Sequence, residues 1–251
     1  MANKNKTVIV IGASGGIGNK TSEILLDLGY EVIGTYYKDK PNVENLAKNE
    51  NFQSVEVDIS NKDSIKKFRN DYDKELYAIV NCSGVVEFEG SGVDKDFEIW
   101  DRTISTNLSG NYYLAKVFFD RIVQNGRFIM ISSTDSYYGG SVTAAYAASK
   151  MGVNSLTKSL SLLFKDKKIL VNSIAPGWVL TKMTEGEGKE FLSKVAEMNP
   201  LGRIGKPEDI AKVIKFLLSD DASYINGQVI SVEGGYTNQD PTLLLEEDVV
   251  S

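Results

Sequence analysis

The sequence predicts an α/β chain built on a parallel, doubly wound sheet with helices on both faces. Short β-branched apolar runs alternate with segments of helical periodicity from end to end, and that alternation implies right-handed crossovers between parallel strands. No repeat, low-complexity tract or Pro/Ser-rich linker interrupts the pattern, so residues 1–251 read as one domain, a length common for single α/β domains.

Thr7–Ile11 is apolar at successive positions, as a strand buried on both faces requires. A glycine-rich turn leads to Asn19–Leu28, where Ile24, Leu25 and Leu28 share a helical face and Gly29 stops the helix. Strands follow at Glu31–Tyr37 and Phe52–Val57, then a helix over Lys62–Asp71 and a strand at Leu76–Val80. Phe97–Val123 reads as one long helical region before a strand at Arg127–Ser132. Tyr146–Phe164 is a second long helix and Lys168–Ile174 the sixth strand. Pro207 opens a helix to Leu218, and Gln228–Val232 completes seven strands. Thr184–Asn199, with Gly186 and Gly188, and the tail from Tyr236 stand apart from this alternation.

Composition excludes several chemistries. With 28 Lys and Arg against 34 Asp and Glu the net charge is −6, which argues against nucleic acid as the main partner. There is no histidine, hence no Ser-His-Asp triad and no histidine metal site; no metal is expected. Proton transfer must use Tyr, Lys, Asp, Glu or the single Cys82. One cysteine permits no intrachain disulfide, and no apolar run is long enough for a signal peptide or a membrane span. A cytoplasmic protein is expected.

The first strand runs into Gly12-Ala13-Ser14-Gly15-Gly16-Ile17-Gly18, which opens a helix. Glycines let the backbone approach a pyrophosphate closely, and the free N–H groups and positive end of the helix dipole hold that anion. Tyr146 and Lys150 lie four apart on a predicted helix and so share a face. A free tyrosine, with a pKa near 10, is a poor base at neutral pH. A neighbouring ammonium favours the phenolate, and a depression of about 3 units needs roughly 4 kcal/mol.

In spacing, Gly12, Gly16 and Gly18 resemble the glycine motif of the short-chain dehydrogenase/reductase family. Residues 5–237 carry the resemblance. Asn81-Cys82-Ser83-Gly84 is similar to the family's Asn-Asn-Ala-Gly motif, with Cys82 and Ser83 as departures, and Asn107, Ser133, Tyr146 and Lys150 match its catalytic tetrad. The resemblance implies a single-domain Rossmann fold with a seven-stranded sheet. It implies that Tyr146 exchanges a proton with the substrate oxygen, Ser133 binds that oxygen, Lys150 also binds the nicotinamide ribose, and Asn107 distorts its helix and supports a proton relay. It places the cofactor on Gly12, Ser14, Gly15, Gly16, Ile17 and Gly18, on Asp58 and Ile59 at the adenine, on Asn81, Ser83 and Gly84, and on Pro176, Gly177, Val179 and Thr181 beside the nicotinamide. Ser132 and Thr134 compete with Ser133, since hydroxyls at strand ends often cap the next element.

Cofactor choice turns on the end of the second strand, where a carboxylate would bind the ribose 2′-hydroxyl of NAD. The family position is Tyr36, with no acid in 34–38 and Lys38 beside it. This favours NADP(H), against which stands Gly15, where many NADP-dependent relatives carry a basic residue. The segments from Leu201 to Ala211 and from Tyr224 to Gly235 resemble bacterial 3-oxoacyl-[acyl-carrier-protein] reductases and their relatives. That implies a homotetramer, a role in fatty acid biosynthesis, and a ketone or carrier-linked substrate. Arg127, Lys165, Lys167 and Lys168 are the candidate carrier contacts, although Gln124 stands where such reductases carry a basic residue. An NAD(H)-dependent sugar or other secondary-alcohol dehydrogenase, or a non-catalytic nucleotide sensor, are the alternatives. Asp135–Thr143 and Thr184–Asn199 are expected to set specificity, with Tyr137 and Tyr138 lining the pocket. The extension 238–251, with Leu243, Leu244 and Leu245, is expected to pack on a neighbour or over the pocket.

Overall fold

The computed structural model describes residues 6–38 and 43–238; Asp39 and the leucines of the tail lie outside them. Seven parallel strands form one sheet: β1 (Thr7–Ile11), β2 (Glu31–Tyr36), β3 (Phe52–Glu56), β4 (Leu76–Asn81), β5 (Ile122–Ile131), β6 (Leu170–Pro176) and β7 (Val229–Val232), in the order β3-β2-β1-β4-β5-β6-β7. The order reverses between β1 and β4. At such a point the crossovers leave to opposite faces and open a crevice beyond the carboxyl ends of the strands.

The alternation of strand side chains builds two cores. Val8, Val10, Val80 and Ile131 pack against Leu25 of α1 (Gly16–Asp27) and Ile210, Ile214 and Leu217 of α7 (Pro207–Leu218). Ile9, Ile11, Ile79 and Phe128 face the other way. They meet Ile65 and Phe68 of α2 (Lys62–Asp71), Leu114 and Phe118 of α4 (Gly110–Phe118), and Val153 and Leu160 of α5 (Ala144–Leu163). Phe118 is 1% exposed and touches the Phe68 ring, with centroids 5.4 Å apart. Burying one such ring contributes about 2–3 kcal/mol.

The long helix expected over Phe97–Val123 is instead two. Helix α3 (Val93–Ile104) starts after Gly92, whose φ of 117° suits glycine, and a π-turn at Ser105–Ser109 separates it from α4. The chain is already in β5 at Ile122. Helix α6 (Lys189–Glu197) lies in the segment between β6 and α7. No described helix is long and apolar enough to cross a membrane, and no group of three or more metal-ligating side chains occurs among the described residues.

Candidate active site

The turn after β1 is held tightly. Gly12 N–H donates to Thr35 Oγ1 at 3.2 Å and Ala13 N–H to the Thr35 carbonyl at 2.8 Å. Gly12 has φ 76°, and a Cβ on Gly18 would lie 2.2 Å from the Gly12 carbonyl oxygen, so neither position accepts a side chain without displacement. A Cβ on Gly16 would meet Thr181 Cγ2 at 2.9 Å and the Pro207 ring at 3.3 Å. The loop after β6 therefore closes over the first turn of α1, where the chain's bare backbone leaves N–H groups for an anion. The turn after β4 joins it: a Cβ on Gly12 would touch the Ser83 backbone at 3.0 Å. Asn81 shapes that turn, accepting from Ser83 N–H and donating to Asn111. These are features of a dinucleotide cradle, and the backbone present fits one.

Ser14, Gly15 and Ile17 complete the glycine turn. Tyr36 ends β2, and Lys38 adopts a left-handed φ of 66° with its Nζ 4.7 Å from the Tyr37 ring centroid. Asp58 accepts from the backbone and hydroxyl of Ser60, and Ile59 is buried against Gly110. Pro176 ends β6 paired with Val232, Gly177 abuts Glu233, Val179 bridges to Gly205, and Thr181 is fixed by a bond from its N–H to Thr184 Oγ1.

The four residues matched to the tetrad converge beyond β4 and β5. Ser133 follows β5, and its hydroxyl accepts the Asp135 N–H at 3.1 Å and bonds the Tyr146 phenol. Ser132 points elsewhere, to Asn154 Oδ1 at 2.6 Å and the Lys150 carbonyl, and Thr134 is buried in the following turn. Lys150, 2% exposed, donates to the Ile131 carbonyl at 2.9 Å and lies 5.5 Å from the Tyr146 ring centroid. Asn107 sits in the π-turn. Its amide donates to the Val85 carbonyl and to Ser149, and its oxygen accepts Val85 N–H at 2.8 Å. That widened turn swings Asn107 toward Gly84, where an added Cβ would meet both Asn107 Oδ1 and Lys150 Nζ at 3.3 Å.

The electrostatics differ from the expectation at Tyr146. Burial pushes its phenol up to about 12, the Asp135 charge adds to the rise, and the bond with Ser133 opposes it. Burial also brings the Lys150 ammonium down to about 8, against the Cys82 and Asp135 charges. The lysine does not by itself produce a phenolate, because the same desolvation penalises both charged forms. Without a further cation the pair is a protonated phenol beside a weakened ammonium. Cys82 is likewise pushed up to about 12 by burial, which leaves an unreactive thiol.

Two features escape a reading by sequence. The sequence marks Asp135 only as the first residue of a segment expected to set specificity, yet its charge reaches Tyr146 and Lys150. Its nearness to Ser133 in the chain was the available signal. The basic residues proposed for a carrier protein do not approach Tyr146 within this chain. Arg127 is where β5 begins to pair with β6 and Lys165–Lys168 precede β6, toward the amino ends of these strands, whereas Ser133 follows the carboxyl end of β5. Arg127 is buried against Tyr77 and the Ser219 carbonyl, and Lys167 Nζ caps the carbonyls of Phe119, Asp120 and Ile122. Tyr137 bonds Ser231 and Tyr138 bonds the Thr237 carbonyl, so the first is tied to β7 and the second to the segment after it.

Comparison with known proteins agrees with this geometry. A family model described as Enoyl-(Acyl carrier protein) reductase matches residues 12–237. A 3-oxoacyl-[acyl-carrier-protein] reductase of Rickettsia felis is 34% identical over 234 residues, covering 92% of this chain and 96% of its own. The enzyme of the same name from Thermotoga maritima is 33% identical over 243 residues, covering 92% and 98%. Among solved structures, a short-chain type dehydrogenase/reductase of Mycobacterium ulcerans superposes with a TM-score of 0.86 at 29% identity, covering 98% of this chain and 95% of the other.

Proposed function

We propose, from the premise that the chain belongs to the short-chain dehydrogenase/reductase family and is an oxidoreductase of that family, that it interconverts a ketone and a secondary alcohol with NADP(H). The carrying observation is the convergence of Ser133, Tyr146 and Lys150 beside the glycine turn. The nicotinamide, when bound, supplies or takes up the hydride at the substrate carbon. In reduction, Ser133 and Tyr146 hold the carbonyl oxygen and Tyr146 gives it a proton. A phenol held near 12 is fully protonated at neutral pH and enters that step as an acid. In oxidation it takes the proton back, and Lys150 together with the charge of the oxidised ring favours the phenolate that this requires. The bond from Lys150 Nζ to the Ile131 carbonyl fixes the ammonium in place, and the absence of a side chain at Gly84 leaves it room.

NADP(H) is favoured because β2 ends in Tyr36 with no carboxylate before Lys38, whose ammonium suits a 2′-phosphate. A 3-oxoacyl group or another small ketone is the substrate class that the named relatives support. The lone cysteine and the absence of a long apolar helix among the described residues support a cytoplasmic place. Exposed Tyr112 on α4, Met151 and Leu162 on α5 and Phe216 on α7 support a homotetramer.

The test is NADPH oxidation across a ketone panel with the wild type and Tyr146→Phe. Loss of a positioned acid is expected to lower kcat about 10²-fold or more. Full activity in the variant refutes the mechanism.

A further inference from the structure

We propose that Glu233 is a positioning residue for the substrate: it ties together the two segments expected to set specificity, 135–143 and 184–199, and its carboxylate holds Tyr138 in place beside the ketone. This rests on the oxidoreductase reading above and adds a residue to the same site.

The chain turns sharply after β7. Gly234 and Gly235 have φ of 73° and 90°, a left-handed path that glycine takes without strain. A single turn at Tyr236–Asn238 follows. The first N–H groups of such a turn have no acceptor within it, and Glu233 supplies one. One carboxylate oxygen accepts Gly235 N–H at 3.2 Å and the other accepts Thr237 N–H at 2.7 Å. Bonds to an ionised acceptor are the stronger class. They fix the turn so that the Thr237 carbonyl accepts the Tyr138 hydroxyl at 3.2 Å. Tyr138 closes the turn that Ser133 opens, with its N–H bonded to the Asp135 carbonyl. The carboxylate therefore reaches the end of the Ser133 turn through one residue, Thr237.

The main chain of Glu233 holds the other segment. Its carbonyl accepts Asn199 Nδ2 at 2.8 Å, and Asn199 Oδ1 accepts Leu201 N–H at 2.9 Å. A Cβ on Gly234 would lie 2.5 Å from Asn199 Oδ1, and one on Gly235 3.1 Å from the Pro200 ring, so this strap lies close against the residues that follow α6. A Cβ on Gly177 would meet Glu233 Cβ at 2.8 Å, so the loop leading to Thr181 rests on the same residue. The parts of Glu233 thus have separate tasks. An alanine in its place keeps the carbonyl for Asn199 and the Cβ beside Gly177, and cuts only the tie to Tyr138. Ser133 keeps its own bonds, from Asp135 N–H to its hydroxyl and from Ser136 Oγ to its carbonyl. The loss is expected in substrate binding, with the reacting groups and the cofactor loop left as they are.

The full chain, Glu233→Ala, Glu233→Gln, Tyr138→Phe and the double variant Glu233→Ala/Tyr138→Phe are compared on ethyl acetoacetate with NADPH. In Glu233→Ala and Tyr138→Phe, KM for the ester is expected to rise at least about fivefold while kcat changes by less than about twofold, the pattern of lost uniform binding. Glu233→Gln, which keeps one acceptor oxygen, is expected to fall between Glu233→Ala and the wild type. The double variant is expected to be no worse than the worse single one, because both cut one chain of bonds. NADPH affinity, read by fluorescence titration, is expected to stay the same in Glu233→Ala. An unchanged KM in Glu233→Ala, a fall confined to kcat, or effects that multiply in the double variant overturn the proposal. Hydrogen exchange read by mass spectrometry follows the tie without turnover. Residues 134–138 are expected to exchange faster in Glu233→Ala and in Tyr138→Phe, with β1 unchanged from the wild type. That result in a protein that reduces no ketone supports the tie and refutes the oxidoreductase reading instead. Unchanged exchange over 134–138 in Glu233→Ala overturns the inference whatever the activity.

Discussion

Replacing Lys150 by Met is expected to stabilise the ligand-free protein at neutral pH while abolishing its activity. Lys150 is 2% exposed, and burial lowers its ammonium from 10.5 to about 8. Between those values the unfolded chain holds a proton that the folded one has released, so stability rises with pH across that window. Below about 8 the penalty is fully present, and above 10.5 it is gone. At about 1.4 kcal/mol per unit, the depression from 10.5 to about 8 makes the penalty roughly 3 kcal/mol. Met removes it but also removes the 2.9 Å bond to the Ile131 carbonyl, which contributes about 1 kcal/mol. The variant should then be more stable by roughly 2 kcal/mol at pH 7, and less stable by about 1 kcal/mol above pH 10.5. Urea unfolding followed by far-UV circular dichroism, at one protein concentration and at pH 7 and pH 10, measures the difference. Tyr146 and Cys82 are present in both proteins, so their titrations cancel. A stability difference that is the same at both pH values would refute the assignment of a strained, desolvated ammonium at residue 150.

The same lowered ammonium predicts that kcat/KM for ketone reduction falls as pH rises through about 8, where the free enzyme loses the Lys150 charge; a flat profile from pH 7 to 9 contradicts it. Gly16→Val should raise the dissociation constant for NADPH at least about tenfold in a fluorescence titration, because its Cβ would lie 2.9 Å from Thr181 Cγ2. Tyr36→Asp places a carboxylate at the end of β2 and should shift the ratio of NADH to NADPH kcat/KM by about tenfold or more toward NADH; an unmoved ratio would place the selecting contact elsewhere. Phe118→Ala should lower unfolding stability by about 3–5 kcal/mol, read by urea denaturation, because the ring is 1% exposed in the core beneath α2, α4 and α5.

What could be read from the sequence followed from two regularities: strand alternation and the steric demands of glycine. Val8 and Val10 go to one face and Ile9 and Ile11 to the other, so an unbroken apolar run already specified a strand covered on both sides. Gly18 announces its turn because no other residue fits 2.2 Å from the Gly12 carbonyl. Helix boundaries were less legible where a tertiary contact sets them. The π-turn at Ser105–Ser109 exists because the Asn107 side chain satisfies both the N–H and the carbonyl of Val85, 22 residues away, and no local periodicity encodes such a bond. Charge at the site was least legible of all. Four-residue spacing placed Tyr146 and Lys150 on one face, but the outcome depends on the solvent each loses, and burial moved both groups toward their neutral forms. Proton transfer at Tyr146 must therefore be set by what enters the site as well as by what surrounds it. The Asp135 charge opposes ionisation of the phenol, and an oxidised nicotinamide, once bound, would supply the cation that the protein withholds. Residues arranged in this way keep the phenol protonated and the ammonium weak while the site is empty of charge.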